Sequence, residues 1–357
     1  MLKRTRANTW KIIGVYTSSL IGAGFASGQE LTQFFASFGA WGIAGLAAAG
    51  VLFALTGWAV FDICLAERIT DGGSLLKHVM GERLGIVIEV SAVFFMCVLY
   101  ATMMAGTGAS LKQYAGLPFS IGVAVGSALT FAALLFDLRG LVAVNARIAP
   151  FLVAGGLIIG FLSFISQTRP AFAGGNQLQW LFAAFTYAAY NSVTSISMLP
   201  SMSVMLENRK EAKRAGLLSG GVITLLGLCM IYPLYLNYAD IQHTEIPLLN
   251  ISRQFGQVFQ FIYMLILLGA IFTTAVSNGF AIIQWLNKRL GLKPIYAKLV
   301  LAIGGMLCAH IGFSMFVSRV YPIFGMVGLI EIASVLAYWL KSHKGAVYRA
   351  EKNKRDK

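Results

Sequence analysis

Runs of about twenty apolar residues follow one another along this whole chain, and few architectures can hold such a sequence. Ten can be drawn, at roughly 10–38, 41–66, 86–113, 118–136, 141–165, 178–205, 214–237, 257–287, 296–315 and 320–340. About twenty residues rising 1.5 Å each cross the ~30 Å hydrocarbon core of a bilayer as a helix. Alternating ten-residue segments, the mark of an outer-membrane barrel, are missing from the sequence. The charged fraction is 12%, about half that of a soluble domain. The expected fold is an all-α polytopic membrane protein with about ten transmembrane helices and no separate soluble domain.

The net charge of +14 finds its explanation in topology. With the N-terminus placed in the cytoplasm, all but Lys112, Arg169, Arg253 and Arg319 of the 28 Lys and Arg fall in inner segments. One span more or fewer would invert every later loop and spoil that asymmetry. The sequence therefore predicts a multi-pass protein of the cell (inner) membrane with both termini cytoplasmic. Its basic tail, 341–357, is expected to contact the inner leaflet, and nucleic acid is not expected as a partner. Cys64, Cys97, Cys229 and Cys308 are scattered through apolar segments and form neither a metal clip nor a disulfide framework. Two loops, 70–84 inside and 240–255 outside, are amphipathic. Both read as interfacial helices, and the outer one alternatively as a lid.

Three spans carry more polarity than hydrocarbon tolerates. The first contains Ile21-Gly22-Ala23-Gly24-Phe25-Ala26-Ser27-Gly28-Gln29-Glu30. Each of its three glycines costs roughly 1 kcal/mol against alanine in a helix interior, so an interruption is expected there. A close-packed helix seam of small residues is the competing reading. The sixth span holds Tyr187, Tyr190, Asn191, Ser192, Thr194, Ser195, Ser197 and Pro200, and is expected to be the second interrupted helix. The eighth carries Thr273, Thr274, Ser277 and Asn278 as a polar stripe. Ten spans divide into repeats at about 10–165 and 178–340, each with an irregular first member. Five is odd, so the two halves must be inverted in the membrane. Matching irregular segments in inverted halves point to a central site for a small solute or ion.

The Gly-Ala-Gly-Phe-Ala-Ser-Gly-Gln-Glu stretch, the ten-span layout and the length resemble the YkvI-like bacterial membrane proteins. These are amino-acid permeases of the amino acid–polyamine–organocation superfamily, with the fold of the bacterial leucine transporter. The resemblance implies a 5+5 inverted repeat with helices one and six broken. It implies substrate contacts at Gly22, Ala23, Gly24, Phe25, Ser27 and Glu30, at Tyr100 of span three, and at Tyr187, Tyr190, Asn191 and Ser192. A sodium site would use Ser18, Ile21, Ala270, Thr273 and Thr274. The arginine that gates the outer side in the neurotransmitter:sodium symporters has no counterpart here. Phe25 or Ala26 stands where their second sodium site has an asparagine, so one coupling ion is expected.

Among intramembrane acids, Glu331 in mid-span ten and Glu30 after the first break are candidates for carrying a proton or balancing an ammonium, whereas Asp62 and Glu89 read as structural. Trp10, Trp41, Trp180 and Trp339 sit at span ends as interface anchors. The expected function is ion-coupled (Na⁺ or H⁺) symport of an amino acid or similar zwitterion by alternating access. No cofactor is expected beyond the coupling ion, and the partners are a small-molecule substrate and lipid. A divalent-metal transporter of the same fold and a non-transporting membrane sensor are the alternatives. No nucleophile–base pair suggests an enzyme.

Overall fold

The computed structural model describes residues 2–136, 141–166 and 179–355, all of whose regular structure is helical. The expected breaks at Thr168–Pro170 and the basic Arg139 and Arg169 lie outside these residues. The first span is α1 (Leu2–Leu20), α2 (Ala23–Ser27) and α3 (Gln29–Phe34), closed by a 3₁₀ turn at Ala36–Phe38. Then come α4 (Ala40–Glu67), α5 (Gly72–Met80), α6 (Glu82–Ala115), α7 (Phe119–Leu135), α8 (Leu141–Ser166), α9 (Gln179–Ser203) and α10 (Arg209–Leu236). The short α11 (Tyr238–Ile241) and α12 (Pro247–Ser252) lead into α13 (Gln257–Leu290), α14 (Pro294–Ala309) and α15 (Phe313–Met315). A π-helical turn, Phe316–Val320, runs into α16 (Tyr321–Arg355).

Helices α4, α6, α10, α13 and Phe313–Ser342 are long and apolar enough to cross a membrane. Outward faces of the bundle carry the side chains that a soluble protein would bury: Phe94, Phe161, Val258 and Leu307 are each more than three-fifths exposed. Such a surface suits lipid.

Small residues set the inner packing. A methyl group at Gly216 or Gly220 of α10 would strike the backbone of α4 at Trp58 and Ala54. One at Gly325 or Gly328 of α16 would strike α9 at Thr186 and Ala189. In lipid, helices associate by this close backbone approach because no hydrophobic drive separates them from acyl chains. The small-residue seam therefore lies in these pairs, not in the glycines of the first span.

The sixth span departs from expectation: α9 is continuous from Gln179 to Ser203. Its polar residues bond back within the helix. Asn191 Nδ2 donates to Tyr187 O (3.0 Å), Ser192 Oγ to Ala188 O (2.8 Å) and Ser197 Oγ to Val193 O (3.0 Å). A hydroxyl satisfied one turn back does not need a break. Pro200 stands one turn from the helix end, where the bond it removes is easily forgone.

Candidate functional site

The first span breaks where its glycines put the break. The last bond of α1 runs from Ile21 N to Thr17 O (3.1 Å), and the first bond of α2 from Ala26 N to Gly22 O (3.0 Å). Between them Gly22 is extended (φ −84°, ψ 179°). A second turn follows at Gly28, left-handed at φ 81°, which ends α2 after five residues and starts α3. Ser27 Oγ donates to Gly24 O (2.8 Å) and accepts from Gln29 N (3.2 Å). These bonds fold α3 so that the Glu30 carboxyl lies over Gly24: a Cβ there would stand 2.6 Å from Glu30 Cδ.

Around that carboxyl is an aromatic box. Glu30 is close enough to Tyr187, Tyr190 and Tyr321 for its charge to act on all three hydroxyls. The Tyr190 ring lies 5.5 Å from Tyr187, 5.0 Å from Tyr321 and 5.5 Å from Phe34. Phe35 stands edge-on to Tyr187 at 4.8 Å, and Phe95 to Tyr321 at 5.5 Å. The three hydroxyls and Glu30 Oε2 are buried; Tyr190 lies within hydrogen-bonding reach of Glu30 and Tyr321 of Thr102, while the Tyr187 hydroxyl has no partner. No Lys, Arg or His among the described residues pairs with Glu30. Buried groups left so are costly unless a ligand, ion or water satisfies them.

Phe25 and Ser27 are buried in α2, Ser192 is buried in α9, and Asn191 is half-buried. Tyr100 is placed elsewhere. Its ring packs on Gly305 of α14. At 100° per residue it points about 140° from Phe95 and 160° from Thr102. Those two are the α6 residues that face the box, Thr102 beside the Tyr321 hydroxyl. The tyrosine that closes the box is thus Tyr321 of α16. Its distance in sequence from every polar stretch hid it, along with Phe34, Phe35 and Phe95.

The expected sodium ligands come from helices that meet near the break. Tyr263 Oη of α13 donates to Ala26 O (2.5 Å). Helix α13 runs antiparallel to α1–α3, so Ala270, seven residues and about 10 Å onward, lies toward the level of Ile21 and Gly22. Ile21, Ala270 and Thr273 are buried, and Ser18 and Thr274 half-buried. Ser18 Oγ donates to Val15 O (2.9 Å) and Thr273 Oγ1 to Ala270 O (3.1 Å). No group of three His, Cys, Asp or Glu among the described residues is arranged for a metal ion. Glu331 is fully buried on α16 with both carboxyl oxygens unpartnered.

At one end of the site, helix α12 buries Pro247, Leu248, Leu249, Ile251 and Ser252, so this loop is packed into the protein and is not a surface helix. Leu248 Cγ would stand 2.7 Å from a Cβ on Gly28. Gln113 bonds Ile246 through both its amide groups (3.0 and 3.3 Å). Gln29 Nε2 donates to Ser314 Oγ (2.8 Å), and Ser314 N to Glu245 Oε2 (2.6 Å). The opposite end is ionic. Arg209 meets Asp62 (3.4 Å), which also accepts from Trp339 Nε1 (2.9 Å). Arg289 meets Glu89 (2.9 Å), beside Trp285. Trp339 is therefore a buried partner of Asp62 and no interface anchor, while Trp10 and Trp41 are exposed.

Long apolar helices around a buried, interrupted span define a helical membrane protein. The structure superposes on MhsT in complex with L-phenylalanine with a TM-score of 0.63, at 14% identity, covering 92% of this chain and 91% of that one. It superposes on the Eremococcus coleocola manganese transporter with a TM-score of 0.56, at 12% identity and 91% and 77% coverage. Both likenesses are of fold. In sequence it is 25% identical over 338 residues to the uncharacterised membrane protein YkvI of Bacillus subtilis strain 168, covering 94% of this chain and 97% of YkvI. It is 28% identical over 323 residues to YyaD of the same organism, covering 90% and 94%. No family model matches the chain. The chain is thus similar in sequence to YkvI and YyaD, and it shares its helical fold with MhsT and the manganese transporter.

Proposed function

We propose that the protein is a secondary transporter that moves a small amine-bearing solute, an amino acid or a related amine, by alternating access driven by Na⁺ or H⁺. The observation that carries this reading is the break at Ile21–Gly22, set against buried carboxyl and phenol oxygens. L-phenylalanine is what MhsT holds, and an amine seat beside Glu30 is compatible with such a solute. The inverted repeat finds support in packing. Helices α4 and α10, α6 and α13, and α7 and α14 are the second, third and fourth members of the two halves, and each pair packs together. Helices related by a central two-fold axis meet in this way.

With the N-terminus cytoplasmic, the α12 end faces outward. On the other side, half-buried Asn191, Thr194 and Met198 of α9 and Thr274, Ser277 and Asn278 of α13 form polar stripes toward the cytoplasm. Thr273 and Thr274 supply sodium ligands, hard oxygen donors suited to a hard cation.

The test is uptake into proteoliposomes across a panel of amino acids and amines, with sodium and proton gradients imposed separately. A gradient-driven flux of one member is expected, and Thr273→Ala with Thr274→Ala should abolish its sodium dependence. Ligand binding with no flux under either gradient would make the protein a sensor and overturn the reading.

A further inference from the structure

We infer that the seat around Glu30 takes the ammonium of an amine with an apolar tail and excludes an amino-acid carboxylate. The inference rests on the transporter reading and names the substrate class of that same site.

Three observations carry it. First, Glu30 covers Gly24, where a substrate carboxylate would have to approach the N–H groups of the first turn of α2. That helix has five residues, so it offers little dipole to draw an anion past a carboxylate already in place. Second, the polar atoms facing the seat suit an ammonium. Glu30 Oε2 and the hydroxyl oxygens of Tyr187, Tyr190 and Tyr321 are buried together, and no described cation meets them. Carboxylate and phenol oxygens accept from N–H donors, and aromatic faces such as Tyr190 and Phe34 attract a cation. Third, Tyr187 has two neighbours. On one side is Glu30. Its ring also lies against an apolar wall of Phe25, Phe53 and Ile223. A charged head at Glu30 places an apolar tail beside that wall.

Binding to the purified full chain in detergent is measured with three matched probes: phenethylamine, phenylalanine and 3-phenylpropionate. The amine should bind about tenfold or more tighter than the amino acid, and the acid should not compete. Glu30→Gln should weaken the amine about tenfold, the scale of one charge-assisted hydrogen bond. If that variant does not fold, Glu30→Asp replaces it, and the wild-type ranking of the three probes still decides. Phenylalanine binding as tightly as phenethylamine would overturn the inference, as would Glu30→Gln keeping full amine affinity. Gradient-driven uptake of amino acids but not amines would overturn it and leave the transporter reading intact. Amine binding without flux would do the reverse.

Discussion

Gly24 and Gly22 stand two residues apart and have different reasons to be glycine. A methyl group on Gly22 meets nothing within 4 Å, whereas one on Gly24 collides with the Glu30 carboxyl. Because that carboxyl is the end of a flexible side chain, Gly24→Ala should fold yet displace it. Uptake is expected to fall at least tenfold in Gly24→Ala and to stay near wild type in Gly22→Ala, with equal yields of folded protein in detergent. Gly28 differs again. Its φ of 81° and its contact with Leu248 leave no room for a side chain. Gly28→Ala should cost about 1–2 kcal/mol from the left-handed backbone alone, read as a lower thermal midpoint. The sequence made the glycine cluster visible and marked Glu30 as out of place in hydrocarbon. It did not reveal that Glu30 turns back over Gly24, because that depends on the Gly28 turn and on Ser27 bonding both its neighbours.

At the scale of elements, apolar run length located the spans, and the ends of α4 and α7 fall within about two residues of those read from the sequence. Polarity was a poorer guide to breaks. In α9 the hydroxyls and Asn191 close on their own carbonyls and the helix continues, whereas in the first span glycines with no such bonds let it open. Helix α5 is fixed by local chemistry. Asp71 caps it, accepting from Ser74 N (2.9 Å), with Leu75 and Leu76 buried below. The Ser74 hydroxyl and N–H, with Lys288 and Lys77 nearby, hold the Asp71 carboxyl below the usual carboxylate range against a smaller opposing effect of burial. A carboxyl depressed on folding contributes stability above its unfolded pKa and loses it as pH falls through the folded one. Asp71→Ala should therefore destabilise the protein by about 1 kcal/mol at neutral pH. The difference from wild type should vanish in acid, as followed by thermal melts across pH. Where α10 meets α4, Gly220→Leu is expected to abolish folded yield in detergent, because the side chain would displace backbone.

For the whole molecule, composition and the distribution of Lys and Arg were enough to read a polytopic helical bundle. The residues that finish the site were not legible, since Phe34, Phe95 and Tyr321 look like lipid-facing or core aromatics until three distant helices converge. The packing of α12 was equally hidden: the helix is six residues long, and its burial depends on contacts with helices far apart in the chain. The latch, Gln29 to Ser314 to Glu245, joins the interrupted span to the loop before α12 and to the turn before α16. A transporter that works by alternating access must release that latch once per cycle. The most direct test uses Gln29→Cys with Ser314→Cys, in a protein whose four native cysteines are replaced, joined by a short bifunctional thiol reagent that reduction cleaves. Gradient-driven flux in proteoliposomes should stop on cross-linking and return on reduction. Undiminished flux through the cross-linked protein would contradict the account.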